Sequence, residues 1–393
     1  MKIGLLTYHA VCNFGANLQT LSTVSYFRNK NIPIKVIDWY PQNLANYYKK
    51  NVSTQQQQIH ADFVKQYLPI TKHCETSKDV QKVIAEEQFD TIIIGSDAVF
   101  SFIPILKRFH PSRKSIIGFH KISDDHKLCC PFWADFANEN NNLKIISMSA
   151  SAQYLDIDKC LFWEKRKIKN ALQKFSLITV RDQWTQKIIS QFTATPTITP
   201  DPVFGFNENS QIPNNKETIK KKFSLPSKYV VFSFCSSFNS NKWYDDLYQT
   251  FKDNDYTIIN LAMPEGTINI KSDLTIDTPL SPIDWYDIIR YSNGYVGQRM
   301  HPMIVALYNN VPFVIFDHYA FKKGKQHFES SKIFDLLQRA DLLDNYTTIS
   351  SAHNISTKDV FEKLINFSTS KASAFTRRYT EAYFQMMQNI EQL

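Results

Sequence analysis

The sequence predicts an α/β protein with two doubly wound domains that face a cleft. Short, continuous apolar runs, each the length of a buried strand, alternate with stretches whose apolar residues recur near a 3.6 period. A polar stretch rich in Asn, Lys and Pro, residues 206–228, separates two such series and is predicted to be a linker. The chain of 393 residues is long enough to give each series its own core.

The first series, residues 1–205, predicts an N-terminal Rossmann-like domain around a parallel sheet. Its first apolar run leads into a predicted helix at residues 14–27, and parallel strands need such crossover connections. Strands are predicted at residues 3–6, 33–38, 91–94, 144–147 and 177–180.

Residues 101–143 interrupt this series and are predicted to form an irregular insertion. They contain Pro104, Pro111 and Pro131, and a long irregular segment in a compact domain is commonly a functional or flexible loop. Three histidines lie within it, but their uneven spacing does not resemble a metal-ligand motif, so no metal site is predicted.

The second series, residues 229–370, predicts a C-terminal Rossmann-like domain, followed by a C-terminal helix within residues 371–393. One of its apolar runs ends at Gly297. Further strands are predicted at residues 229–234, 256–261 and 313–316, and helices at residues 243–251, 283–291, 358–367 and 376–390.

Charge and cysteine content indicate which partners and which cellular compartment to expect. The net charge of +8 comes from scattered lysines, so no nucleic-acid partner is predicted. The charge reflects either ordinary surface bias or attraction to phosphorylated or membrane-surface substrates. The six cysteines show no CxxC pair, which favours reduced thiols in a cytoplasmic protein. Neither a signal peptide nor a membrane-spanning run is recognised, and the oligomeric state is left open.

The most informative segment follows the run that ends at Gly297. Arg299 and His301 come directly after it, and a helical pattern begins at once. In open α/β sheets, ligands bind where strands pass into helices, and helix N-termini attract anions. A cation and an imidazole at this point predict an anionic ligand with an acid/base beside it.

Polar residues also end two strands of the first series. Ser96 and Asp97 follow one strand, where the Asp97 carboxylate either orients a hydroxyl, acts as a base or caps the next turn. Arg181 ends another strand, where its planar guanidinium suits a carboxylate or phosphate, unless it pairs with Asp182.

Two further turns are weaker candidates for ligand contacts. Asn13 either caps the first helix or contacts a ligand, and Gly15 allows a close backbone approach. Ser236 opens the first loop of the second domain, where a phosphate or nucleotide cradle is conceivable.

Together these motifs resemble the polysaccharide pyruvyl transferase family. The resemblance covers nearly the whole chain in order, and the set is more specific than any one motif. Lys322 is similar to the lysine that the family places after the last strand of its second domain. The motifs are residues 13–19, 94–97, 146–150, 179–182, 201–202, 299–301 and 311–312.

The resemblance implies a fold similar to glycosyltransferase B and transfer of a pyruvyl group from phosphoenolpyruvate to sugar hydroxyls, often as a cyclic ketal. It implies that Arg299 and Arg181 bind the donor's carboxylate and phosphate, that His301 is the acid/base, and that no further cofactor is needed. The acceptor is expected to be a glycan or a lipid-linked saccharide, in the cytoplasm, with association with the inner membrane surface left open. Two alternatives are a sugar-nucleotide glycosyltransferase of the same architecture and a non-catalytic glycan-binding protein.

Overall fold

The computed structural model contains two six-stranded, all-parallel sheets, one in each part of the chain. The predicted α/β class with two doubly wound domains is therefore confirmed. The structure describes residues 1–111, 117–137, 143–153, 155–212, 216–317, 321–322, 325–326, 330–350 and 352–393.

The N-terminal sheet has the strand order β2-β1-β3-β6-β7-β8. Its strands and the hairpin β4–β5 are β1 (Ile3–Leu6), β2 (Ile34–Val36), β3 (Thr91–Asp97), β4 (Phe109–Pro111), β5 (Ile117–Phe119), β6 (Lys144–Ala150), β7 (Leu177–Val180) and β8 (Thr197–Ile198). The helices are α1 (Phe14–Asn29), α2 (Gln42–Asn51), α3 (Thr54–Tyr67), α4 (Ser77–Glu87), α5 (Ile105–Arg108), α6 (Phe162–Leu172), α7 (Gln183–Ile189) and α8 (Phe206–Asn209). The direction of winding reverses between β1 and β3, which is where ligands bind in such sheets.

The C-terminal sheet repeats this plan in the order β11-β10-β9-β12-β13-β16. Its strands and a small hairpin are β9 (Tyr229–Ser233), β10 (Thr257–Leu261), β11 (Leu274–Ile276), β12 (Gly294–Gly297), β13 (Phe313–Asp317), β14 (Phe321–Lys322), β15 (Lys325–Gln326) and β16 (Tyr346–Thr348). The helices are α9 (Lys216–Phe223), α10 (Asn241–Lys252), α11 (Pro282–Arg290), α12 (Met300–Tyr308), α13 (Lys332–Ala340), α14 (Thr357–Ile365) and α15 (Thr369–Glu391). Here the reversal lies between β9 and β12, so the Arg299 turn follows a strand at the switch point.

The two domains pack together along one side. Helix α1 lies against α11 and α12, and a single apolar cluster runs from the first sheet into the second. Helix α15 returns to the N-terminal domain, where the Met386 sulfur lies 3.3 Å from the Ser149 hydroxyl. Among the described residues, no helix is both long enough and apolar enough to cross a membrane.

The insertion at 101–143 contains more structure than its sequence predicts. Its described parts include α5, the β4–β5 hairpin and short 3-10 turns, and they bury Phe132 and Trp133. Residues 121–127 of the segment and Arg108 of α5 line the cleft described below.

Candidate functional site

The carboxyl ends of both sheets open onto an interdomain cleft of about 960 Å³. Residues of both domains line it, including the predicted Asn13, Asp97, Arg181, Arg299 and His301. The outer part is formed by α2 and by residues 121–127 of the insertion. Among the described residues, no group of His, Cys, Asp or Glu side chains could hold a metal ion.

Five charged or titratable side chains form a row along the floor of the cleft, and all of them except Asp201 line it. Lys332 Nζ lies 3.6 Å from Asp97 Oδ1, and Arg181 Nη2 donates to the same oxygen at 2.9 Å. Arg181 Nη1 donates to Asp201 Oδ2 at 2.6 Å, and His301 Nε2 lies 3.7 Å from that oxygen. We call these residues the charged row; its centre comes from the N-terminal domain and both ends come from the C-terminal domain.

Short, well-defined connections hold the central members of the row in place. Asp97 is the last residue of β3 and has a φ of 75°, an uncommon conformation for a residue with a side chain. Arg181 follows β7 directly, and its N–H donates to the Ala150 carbonyl at the end of β6. Asp201 caps the 3-10 turn that follows it, with Oδ1 accepting from Val203 N at 3.0 Å.

The row keeps its carboxylates ionised despite burial. Burial alone would raise the pKa of Asp97, but Arg181, Lys332 and His301 outweigh it and hold that pKa well below its usual range. Burial is outweighed at Asp201 too, where contacts with His301 and Arg181 lower the pKa. At Asp97 the main cause is opposite charge at close range, and at Asp201 hydrogen bonding contributes as well as charge.

Lys332 is affected in the opposite direction. Its side chain is 16% exposed. Burial, and then repulsion from Arg181, lower its pKa to about 8, although Asp97 partly offsets this. An amine with this pKa can change its charge near physiological pH.

His301 projects from the first turn of α12 and rests against α1. A Cβ on Gly15 would lie 2.0 Å from His301 Cγ, so only glycine leaves room for the imidazole ring. Nε2 faces Asp201 beyond hydrogen-bond distance and has no hydrogen-bond partner among the described residues. His301 Nε2 is therefore held next to the Asp201 carboxylate and is available for a hydrogen bond to a ligand.

Arg299 lies nearer the rim of the cleft. Its Nη2 donates to Glu265 Oε1 at 3.0 Å, and its side chain is 28% exposed. Its φ of 71° is an unusual backbone conformation for a residue other than glycine, which the cleft residues Asp97 and Gln153 share. Such conformations cost about 1–3 kcal/mol and cluster at functional sites.

The other predicted residues have different environments. Asn13 caps α1, accepting from Ala16 N at 3.2 Å, and also lines the cleft. Ser96 is buried and donates to the Ser149 carbonyl, and the Ser236 N–H donates to the side chain of Gln298. Neither serine is among the described residues that line the cleft. The Lys322 side chain lies outside the described part of the structure.

Two members of the charged row, Lys332 and Asp201, were not predicted as site residues. Lys332 follows Ser331, which caps α13, in a stretch to which the sequence pattern assigned no element. An N-cap serine before an amphipathic helix is a signal that could have located it. Asp201 was recognised only as part of a motif.

Solved structures with the same fold are distant in sequence. A UDP-N-acetylglucosamine 2-epimerase aligns with a TM-score of 0.56 at 7% identity, over 99% of this chain and 96% of its own. The epimerase from Neisseria meningitidis, bound to UDP-GlcNAc, has a TM-score of 0.52 at 8% identity, over 98% and 100%. Spinosyn forosaminyltransferase SpnP has a TM-score of 0.51 at 10% identity, over 100% and 98%. These similarities establish a fold of the glycosyltransferase B type.

Sequence comparison identifies the family. No curated protein matches the chain. The family model described as polysaccharide pyruvyl transferase matches residues 13–319, a range that contains Asp97, Arg181, Asp201, Arg299 and His301 and stops short of Lys332. With most of its length matched, the chain belongs to the polysaccharide pyruvyl transferase family, and it is a transferase.

Proposed function

We propose that this enzyme transfers a pyruvyl group from phosphoenolpyruvate to two hydroxyls of a sugar, in a polysaccharide or its lipid-linked precursor, and forms a ketal. The observation that carries the proposal is the charged row, in the cleft of a chain of this family. The row offers an amine for an anionic donor and, at its other end, a histidine beside an ionised carboxylate.

Lys332 and Arg299 are the side chains we assign to the donor's phosphate and carboxylate. Lys332 Nζ lies 3.6 Å from Asp97, longer than a hydrogen bond, so it can turn towards an incoming anion. The N-termini of α12 and α13 both reach the cleft, and helix N-termini favour negative charge. Both terminal nitrogens of Arg181 already donate hydrogen bonds to carboxylates, and we therefore assign Arg181 to holding Asp97 and Asp201 in place.

His301 is the residue we assign to proton transfer. Protonation of the donor's methylene carbon leaves cationic character on the carbon that bears phosphate, and a sugar hydroxyl attacks there. Inorganic phosphate leaves, and the second hydroxyl closes the ring. Of the two hydroxyl protons released, one replaces the proton given to the methylene and the other accompanies phosphate. Asp201, ionised beside His301, stabilises the imidazolium form between these steps.

Asp97 is assigned to the acceptor. Its Oδ1 makes the contacts with Arg181 and Lys332, and we assign Oδ2 to a sugar hydroxyl. Because its pKa is held low, Asp97 accepts a hydrogen bond better than it donates a proton.

Donor binding tests the proposal, measured as the shift in melting temperature. Phosphoenolpyruvate at 100 times its Kd is expected to stabilise the protein by about 2.7 kcal/mol, whereas UDP-GlcNAc leaves it unchanged. His301→Ala should keep this shift but lose about 10²–10⁴-fold in phosphate release with an acceptor glycan. Stabilisation by the nucleotide sugar alone would instead identify a glycosyltransferase.

A further inference from the structure

Large apolar side chains are exposed on one surface of the N-terminal domain. Phe162 is 77% exposed and Trp163 46%, although residues of this size are normally buried. Leu106, Phe109 and Phe119 are exposed to a similar degree. We call these five residues the aromatic patch.

Contacts between α5, the β4–β5 hairpin and α6 place these side chains on one surface. The Ile105 N–H donates to Glu164 Oε1 at 3.0 Å, which fastens the start of α5 to the turn of α6 that carries Phe162 and Trp163. The rings of Phe109 and Phe119 are 5.1 Å apart. An exposed apolar surface assembled from three elements marks an interaction site.

The surroundings of the aromatic patch are basic. Lys121, Lys159, Arg166 and Lys167 are exposed, and the Arg108 guanidinium lies 4.0 Å above the Phe119 ring. Of the nearby acids, Glu164 is buried, Asp156 pairs with Lys107, and Asp124 pairs with Lys127. Asp158 is exposed. Aromatic side chains ringed by cations match an anionic lipid surface, because aromatics favour the bilayer interface and lysines and arginines its charge.

The basic rim continues into the cleft. Arg108 covers Phe119 on the patch side and also lines the interdomain cleft, as does Lys121. Any binding partner that contacts the aromatic patch would therefore also lie beside the mouth of the cleft.

We propose that the aromatic patch and its basic rim dock this enzyme onto an anionic lipid bilayer, with the cleft mouth at the membrane surface. Docking is peripheral, through side chains that enter the interface. It would bring a saccharide carried on a membrane lipid within reach of the charged row. The proposal concerns a surface outside the cleft floor and stands apart from the identity of the donor.

Sedimentation with vesicles tests the docking surface. The wild-type protein is expected to sediment with vesicles of phosphatidylcholine and phosphatidylglycerol, and much less of it with vesicles of phosphatidylcholine alone. Salt should release the protein from the anionic vesicles. The double variant Phe162→Ser/Trp163→Ser should bind at least tenfold more weakly. The matched control is Ile365→Ser, which removes a side chain of comparable exposure, 52%, from α14 in the other domain and should bind as the wild type.

Three results would overturn the proposal. The wild-type protein fails to bind vesicles, the Ile365→Ser control loses as much binding as the double variant, or the double variant changes its oligomeric state and not its vesicle binding. In the last case, light scattering would give a dimer that the double variant converts to a monomer, and the patch would be a contact between two copies. A melting temperature and a circular dichroism spectrum close to those of the wild type confirm that each variant is folded.

Discussion

Arg181 shows how neighbours decide the role of a single residue. From the sequence, its guanidinium was expected to bind the donor directly. In the structure, Asp97 and Asp201 accept from its two terminal nitrogens, and these charges keep the buried guanidinium protonated. Lys332, more than a hundred residues away in sequence, then becomes the cation of the charged row that can respond to a ligand.

Lys332→Met is expected to raise the KM for phosphoenolpyruvate by about 10- to 100-fold, because a charge-assisted hydrogen bond to the donor is lost. In the wild-type protein, Lys332 is protonated below its pKa of about 8 and neutral above it. The value of kcat/KM should therefore fall as the pH rises through about 8.

Lys332→Arg is the control for this pH profile. Arginine stays charged throughout the range, so the decline near pH 8 should disappear or move upward even if the absolute rate is lower. An unchanged profile in this variant would show that another group titrates.

Gly15→Ala tests the contact between α1 and His301. Alanine normally stabilises a helix relative to glycine by about 0.5–1 kcal/mol. Here the new Cβ would lie 2.0 Å from His301 Cγ, so the ring must leave its present position beside Asp201. We expect a lower kcat and a lower free energy of unfolding, measured by phosphate release and urea denaturation. Ala16→Gly is the neighbouring control, expected to lower stability alone; normal turnover in Gly15→Ala would contradict the assigned role of His301.

At the scale of elements, the sequence pattern predicts a strand or helix best where most of that element is buried. Strands β1 and β9 are apolar and lie within the predicted ranges, whereas β3 begins where predicted and continues three residues further, to Asp97. Helix α2 buries none of its described residues, and no helix was predicted there. Its apolar residues Leu44, Tyr47 and Tyr48 recur at a helical spacing, but they line the cleft and do not enter a core. The edge strands β8, β11 and β16 are two or three residues long, too short for a pattern, and α15 begins at Thr369, ahead of its predicted start.

The N-terminus of α13 is the element that places Lys332. Ser331 accepts from Phe334 N at 3.1 Å and donates to Asp317 at the end of β13. Ser331→Ala should cost about 1–3 kcal/mol of stability, because both the cap and the hydrogen bond to the buried Asp317 carboxylate are lost. It should also raise the KM for phosphoenolpyruvate, because the first turn of α13 loosens.

The remote cap Ser356 is the control for this prediction. It accepts from Asp359 N at 3.0 Å at the start of α14, which lies outside the cleft lining. Ser356→Ala should lower stability by about 1 kcal/mol through loss of the cap and leave KM unchanged. An equal change of KM in both variants would mean that Ser331 acts only through overall stability.

At the scale of the whole molecule, the charged row exists only because the domains are held in one arrangement. Gln56 of α3 spans their interface: its Nε2 donates to the Leu280 carbonyl at 2.8 Å, and its Oε1 accepts from Leu280 N at 2.6 Å. Both groups are buried, so this pair of bonds fixes the separation of the domains at that point.

Gln56→Leu is expected to lower the free energy of unfolding by about 1–3 kcal/mol, because it leaves a buried N–H and a buried carbonyl of Leu280 unsatisfied. Urea denaturation measures the change. Gln58→Leu, on the exposed face of the same helix, should change stability by less than about 0.5 kcal/mol. A neutral Gln56→Leu would show that the apolar contacts of α1 alone hold the interface.

The sequence by itself determined the class of fold, the turn carrying Arg299 and His301, and the family to which the motifs point. These features are local, since apolar periodicity and strand-to-helix turns depend on neighbouring residues. Only the tertiary structure brought Asp97, Arg181 and Asp201 of one domain between Lys332 and His301 of the other. Electrostatic interaction depends on distance in space and on burial, which spacing along a chain does not encode, and so the partners and charges of the row became visible only in the folded molecule.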